Sequence, residues 1–480
     1  MDCLVLASYS GVVVFTVAYH EKWADEAQAW LLARDLPLQT LWLHESRYEG
    51  SPALWHTILA VAQHVFHAPY RSLGYIGAAF AIAGVAWLIF RSPFPRPIRW
   101  LIAFSYFFVY QYAAIARSYV LFALFAFVLV DRYRDRQRPA LFALAIVPLA
   151  LLTAHGSLLA FALGISYAIK FVSEWSTHSA STRRTFLYSV ASIAVFYLLL
   201  FAILLPAKDT EATHEAALSA PVLASRTISG IAGSLVDNRW LSLAIFLIFA
   251  LWNYSRRALI SFLLPASLLI GVYVSLAPRP HQLGTILISM LASLAIAWPS
   301  AAERRLFSVR EKWSYNFIVS VLAATLAYQV YVGSVAIRND VRLPYSGAQD
   351  AAAYLRPAVE QHQRIYGFQY GMVAINDYFP QNIFANWQHA YYHHALGEFA
   401  PQTVGPAIAA GHPDYVVTTW WEPFDPTEFR QRMVIPFAQL GYSLVHMSDG
   451  YLLTKTGYSS RQIYAIFRRT GTPTPPTPAR

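Results

Sequence analysis

Two adjacent carboxylates, Asp25 and Glu26, follow the first apolar run of the chain, Cys3–Tyr19, within a few residues. Carboxyl groups at a bilayer surface are costly unless they are solvated or used, and a carboxylate placed there can take the proton of an attacking hydroxyl. Neighbouring residues on a helix point about 100° apart, so one of the two faces a site directly. Asp25 is assigned as the base, with Glu26 orienting it or its substrate. The plainer reading is a solvated helix start in HEKWADEA, where acids favour the N-terminus. Further along, Arg117 and Tyr119 stand between two apolar runs. A guanidinium holds a phosphate with a planar fork, and a phenol adds a hydrogen bond; the alternative is an arginine reaching to headgroups. His155 sits at the boundary of two runs, as a substrate contact or as a structural histidine. Arg279 and His281, in PRPH, open a later run and offer a second cation to a phosphate. Glu49, in YEGSPALW, either meets substrate or is merely hydrated. His389 and His393 are spaced to share one helix face as metal ligands, with Glu398 nearby. They read as ordinary surface histidines, and no metal or other cofactor is assigned.

What positions these groups is a membrane module. The chain of 480 residues is 56% hydrophobic and 13% charged, with mean hydropathy +0.39. An ordinary soluble protein carries about 25% charged residues. Apolar runs place eleven spans at about 3–19, 72–90, 98–115, 118–131, 139–153, 156–171, 185–205, 239–254, 258–277, 282–299 and 313–333. With the N-terminus inside, one set of loops collects most of the arginines, such as Arg132, Arg134, Arg136 and Arg138, while the other set holds few. That is the positive-inside pattern. It requires Ala53–Phe66 to lie at the interface as a juxtamembrane helix instead of crossing. The first span reads as an uncleaved signal anchor. Asp25, Arg117, His155 and Arg279 then share the extracytoplasmic side. The formal charge of +10 is explained by basic inner loops meeting anionic lipid, and nucleic-acid binding gains no support. One cysteine, Cys3, excludes an internal disulfide.

Residues 1–337 therefore form the transmembrane module, with a first extracytoplasmic loop at 20–71 and a second large one at 206–238. Residues 338–458 turn mixed polar and read as a small extracytoplasmic α/β domain. SGAQDAAAYLRPAVEQH is an amphipathic helix capped by Ser346, and RIYGF, DYVVTTWW and GYSLVHMSDGYLLTKT are strands. The remainder, 459–480, is a tail whose Pro/Thr-rich end is disordered.

The Asp25–Glu26 pair after the first span, the run Ser51–Pro52–Ala53–Leu54–Trp55, the Arg117–Ser118–Tyr119 triplet, the His155 turn and Arg279/His281 at a span entrance together resemble the GT-C superfamily of membrane glycosyltransferases. They are most similar to its protein O-mannosyltransferase and aminoarabinose-transferase-like bacterial branch. The likeness covers roughly residues 1–300. Relatives carry Pro-Pro-Leu-aromatic or His-Pro-Gly-Leu-Trp where Ser51–Trp55 stands, and lack the proline between Arg279 and His281. The resemblance implies an inverting transferase in a bacterial cytoplasmic membrane. Its donor would be a sugar carried on a polyprenyl phosphate, its acceptor a glycan, lipid or protein, and its base Asp25. A lipid-linked glycan transporter or a non-catalytic glycan-binding relative are the competing readings. Conspicuous charge gathered at one surface, instead of at the bilayer midplane, favours the enzyme.

Overall fold

The computed structural model describes residues 1–209, 219–275, 279–394, 401–421, 423–455 and 457–470. A helix lies on each of the eleven expected spans. The chain begins with α1 (Asp2–Tyr19), then α2 (Ala24–Asp35) and α3 (Leu54–His64) in the first loop, then α4 (Ser72–Arg91), α5 (Arg96–Phe104) and α6 (Phe122–Arg134). They continue with α7 (Pro139–Ala150), α8 (Ala154–Ser173), α9 (Ala180–Leu204), α10 (Ala220–Ser234) and α11 (Arg239–Ser255). The last are α12 (Leu259–Ser275), α13 (Leu283–Ala297) and α14 (Val309–Arg342). By length and composition, six helices among the described residues can cross a bilayer: α1, α4, α8, α9, α13 with its preceding turn, and α14. The protein is a multi-pass membrane protein.

Three departures from the expected layout have physical reasons. The spans expected at 98–115 and 118–131 are not continuous helices: after α5 the chain makes a wide turn at Phe107–Gln111, runs irregularly to Arg117, and re-enters α6 through a tight turn at Ser118–Leu121. Irregular backbone is tolerated at this depth where protein surrounds it. Residues 105–116 are indeed buried throughout, and their carbonyls and amides find partners: Tyr9 donates to the Phe108 carbonyl at 2.7 Å. Second, the stretch 206–238, expected as loop, contains α10, which meets α11 at a bend of 78°. Gly230 and Gly233 let α10 lie directly against Tyr273 and Leu283. Third, the juxtamembrane helix expected over Ala53–Phe66 is shorter: α3 has 11 residues, about 16 Å of helix, roughly half a hydrocarbon core. It packs along α2, with Gln63 bonding the Trp30 carbonyl and His64 the Ala33 carbonyl. Pro52 stands ahead of α3 and not in its first turn, after Gly50, whose φ of +61° closes the preceding helical turn.

The C-terminal part contains α15 (Ala348–Glu360), β1 (Ile365–Gly367), α16 (Met372–Asn376), α17 (Pro401–Gly411), β2 (Tyr415–Trp420), β3 (Tyr442–Thr454) and β4 (Gly457–Arg469). The sheet order is β1-β2-β4-β3, with β1 parallel to β2 and the other pairs antiparallel. The expected tail from 459 is thereby corrected. Its first part is β4, an inner strand whose Ile463, Ala465 and Phe467 are fully buried. The unbroken apolar run Ile463–Phe467 is that of a strand buried on both faces. The Pro/Thr-rich end lies outside the described residues. The α15 start is capped chiefly from afar: Glu21 accepts the amides of Ser346, Gly347 and Gln349, while the expected cap Ser346 accepts that of Ala348.

Helix α2 joins the two parts. Its Trp30 and Ala33 enter the membrane-module core, whereas Ala24, Ala27, Leu31 and Leu32 share a core with Ala351, Leu355, Val373 and Ile375 of the C-terminal domain. A helix buried on both faces is fixed in rotation, so the direction of every polar side chain on it is set.

Candidate active site

Asp25 lies in the first turn of α2 and faces the break between α5 and α6. Its Oδ2 is 2.9 Å from a guanidinium nitrogen of Arg117, and its Oδ1 accepts the Tyr370 hydroxyl at 3.0 Å. The same Arg117 nitrogen lies 3.1 Å from Nδ1 of His281. Tyr119, two residues on, has its hydroxyl 3.3 Å from Nδ1 of His155 and its ring stacked on Tyr112. Tyr112 in turn donates to the His281 carbonyl. Thus Asp25, Arg117, Tyr119, His155 and His281, drawn from four separate stretches, form one cluster. Arg117 is also flanked by the rings of Trp23 and Tyr119 at 5.9 and 5.7 Å, which adds cation–π attraction. The charge of Asp25 overcomes burial and strengthens the hold of Arg117 on its proton.

Glu26 is not turned toward Asp25. It is fully buried on another face of α2, where Oε2 meets His20 at 3.0 Å and accepts the Trp23 amide at 3.3 Å. Its Oε1 accepts the Ala116 amide at 2.7 Å. The other nitrogen of His20 reaches Asp340, at the end of α14, at 2.8 Å. Burial opposes the charge of Glu26, yet His20 and the Ala116 amide outweigh it and hold its carboxyl below the usual range. Burial likewise opposes charge on His20, and Asp340 and Glu26 reverse that effect and raise it. Glu26 therefore contacts not Asp25 but the peptide that carries Arg117.

Glu49 accepts at 2.9 Å from Gln28, which stands about one turn along α2 from Asp25, and lies 3.9 Å from His394. Gln28 also clasps both backbone groups of Tyr392. Arg279 is exposed, and its charge is felt by Tyr119 and His281. His389 and His393 are not on a helix, since the chain from 381 to 394 is irregular, so the shared-face argument for them fails. His389 stacks on Tyr391 instead. Among the described residues no cluster of three His, Cys, Asp or Glu side chains is arranged to hold a metal. Glu398 lies outside the described residues.

Sequence reasoning missed Tyr370 and Tyr112. Burial, and then the Asp25 charge, push the Tyr370 hydroxyl well up, so it stays a donor. No local motif marks Tyr370, which reaches Asp25 from 345 residues away.

No protein-family model and no curated protein matches the sequence. Solved structures do. The apo structure of ArnT from Cupriavidus metallidurans aligns over 96% of this chain and 97% of that one, with TM-score 0.55 and 12% identity. The structure of the same protein bound to undecaprenyl phosphate aligns over the same shares at TM-score 0.52. The chain shares the fold of that structure. A mycobacterial arabinofuranosyltransferase, AftD, aligns with 97% of this chain but 40% of its own length, at 14% identity and TM-score 0.44. In this fold, the cluster around Asp25 occupies the junction of the first loop, the broken helix and the C-terminal domain.

Proposed function

We propose that this chain is a glycosyltransferase that moves a sugar from a polyprenyl-phosphate carrier to an acceptor at the extracytoplasmic face of a bacterial cytoplasmic membrane. The observation that carries the reading is the Asp25–Arg117–His281 cluster at one end of the helices, in a fold whose solved relative binds undecaprenyl phosphate. In the proposed step Asp25 takes the proton of the acceptor's nucleophilic group, which forms a bond to the anomeric carbon. The bond from that carbon to the phosphate oxygen breaks, the electron pair leaves with the lipid phosphate, and the anomeric configuration inverts. Arg117 and Arg279 receive the departing phosphate, with Tyr119, His155 and His281 lining its place.

The resting Asp25–Arg117 pair suits this sequence. The guanidinium of Arg117 occupies an Asp25 oxygen that would otherwise meet the acceptor. A phosphate that draws Arg117 to itself clears that oxygen, so the base is set free when the donor is seated. We place acceptor entry at the cavity of about 690 Å³ between the first loop and the C-terminal domain, bordered by Gln39, His44, Glu45, His389 and His393. The test is transfer from radiolabelled polyprenyl-phosphate sugars, one hexose and one pentose carrier at a time, in membranes carrying Asp25→Asn. The amide cannot accept the proton, and transfer should fall by roughly 10²–10⁴-fold with expression intact. Near-normal transfer removes Asp25 from the role of base.

A further inference from the structure

A second polar cavity, of about 380 Å³, lies at the other end of the same helices that frame Asp25. Helix α4 starts beside the first loop and ends at Arg91 after 20 residues, about 30 Å of rise, which is the thickness of a hydrocarbon core. The cavity is therefore at the opposite headgroup layer. Its walls come from the ends of α4, α6 and α13 and from the turn before α5. Four guanidiniums line it, Arg91, Arg99, Arg134 and Arg304, against the one carboxylate of Asp131.

Part of this charge is already engaged. Arg99 bonds the carbonyls of Phe94 and Ile89, Arg134 bonds that of Ala295, and Arg304 bonds the Tyr315 hydroxyl. A guanidinium has five N–H donors, so these bonds fix the planes of the forks without using up their donors. Asp131 answers Arg91 at 3.3 Å and is shared with Arg132 at 3.7 Å. A second observation is independent of charge. Ser92 lines the cavity, is 7% exposed, and its Oγ is buried with no hydrogen-bond partner among the described residues. Buried hydroxyls are rarely left unpaired.

We infer that this cavity is a binding site for the phosphate of an anionic phospholipid, seated among Arg91, Arg99, Arg134 and Arg304 with Ser92 donating to a phosphate oxygen. Basic pockets between helix ends at a headgroup layer take such phosphates, and planar forks fixed in position are suited to their oxygens. This site owes nothing to the transfer reaction and stands or falls apart from it.

The experiment is native mass spectrometry of the purified full chain titrated with phosphatidylglycerol, with phosphatidylcholine as the zwitterionic control. The wild type should retain phosphatidylglycerol in preference. The double variant Arg91→Gln/Arg304→Gln should bind it about tenfold more weakly, and Asp131→Asn, which removes the competing carboxylate, should bind it severalfold more tightly. Millimolar inorganic phosphate should leave the bound lipid in place. Equal retention of both lipids, indifference to the double variant, or displacement by inorganic phosphate, which would mark a free-phosphate site, would each overturn the inference. If the double variant does not fold, the Asp131→Asn titration decides: unchanged or weaker binding overturns it.

Discussion

At the scale of single residues, the proposed function divides the site into groups that would face the reaction and groups that hold them. Arg117 is of the first kind. On the proposed reading, Arg117→Ala should nearly abolish donor use, and Arg117→Lys should also impair it, because an ammonium keeps the charge but loses the planar fork. Full activity of the lysine variant in the transfer assay would instead fit a cation that only reaches headgroups. Tyr370→Phe removes one hydrogen bond to Asp25 and leaves the ring packed against Tyr392 and His394. Its expected cost is in kcat, with donor KM little changed. Glu26 and His20 are of the second kind, and their linkage to pH runs in opposite senses. The Glu26 carboxyl is held below its ordinary 4.5, so its contribution is complete above about pH 4.5 and is lost as pH falls through the depressed value. His20 is held above its ordinary 6.5, so its contribution is complete below about pH 6.5 and is lost as pH rises through the folded value. Thermal unfolding in detergent should therefore show a stability plateau between about pH 4.5 and 6.5. His20→Gln should lower the plateau and flatten the alkaline decline, and an unchanged alkaline limb would contradict the assignment.

At the scale of elements, the broken helix between Ile102 and Arg117 does the positioning. A regular helix would have turned Arg117 according to the helical period. Here Tyr9 and Glu26 hold the irregular backbone at Phe108 and Ala116, and Arg117 is delivered to Asp25. The apolar runs revealed where helices stand, because period and length are written locally. They could not reveal the break, since its residues are as apolar as those of a continuous span and its partners come from α1 and α2. The direction of Glu26 was hidden for the same reason: a dipeptide says that two carboxylates diverge but not which core each meets. Helix α10, within residues 206–238, was hidden by its modest apolar content. The topology has its own check. In a Cys3→Ser background, cysteines at Ser51 and Gln349 should react with a membrane-impermeant thiol reagent from outside, and cysteines at Ser181 and Ser308 should not. Ser92 and Ser346 are too buried to report. Labelling of Ser308→Cys from outside would mean that Ala53–Phe66 crosses and that the positive-inside reading is inverted.

At the scale of the whole molecule, the C-terminal domain is part of the site and not an appendage. It shares a core with α2, caps its own first helix on Glu21 of the first loop, and sends Tyr370 to Asp25. The tip of its hairpin reaches the membrane module as well, where the Lys455 amide meets Tyr106 and its ammonium meets Asp237. Strands β1, β2 and β3 were legible in the sequence as short runs between turns, whereas β4 was not, its residues from 459 being expected as tail. The docking was not, because it joins residues hundreds of positions apart with no shared motif. In the proposed function the Asp25–Arg117 pair opens to receive a lipid phosphate. A cryo-EM structure of the full chain in nanodiscs with polyprenyl phosphate added shows whether it does. Phosphate density is expected within about 3 Å of the Arg117 guanidinium, with Asp25 separated from Arg117 and still bonded to Tyr370. Lipid phosphate bound elsewhere, with the ion pair intact, would contradict it.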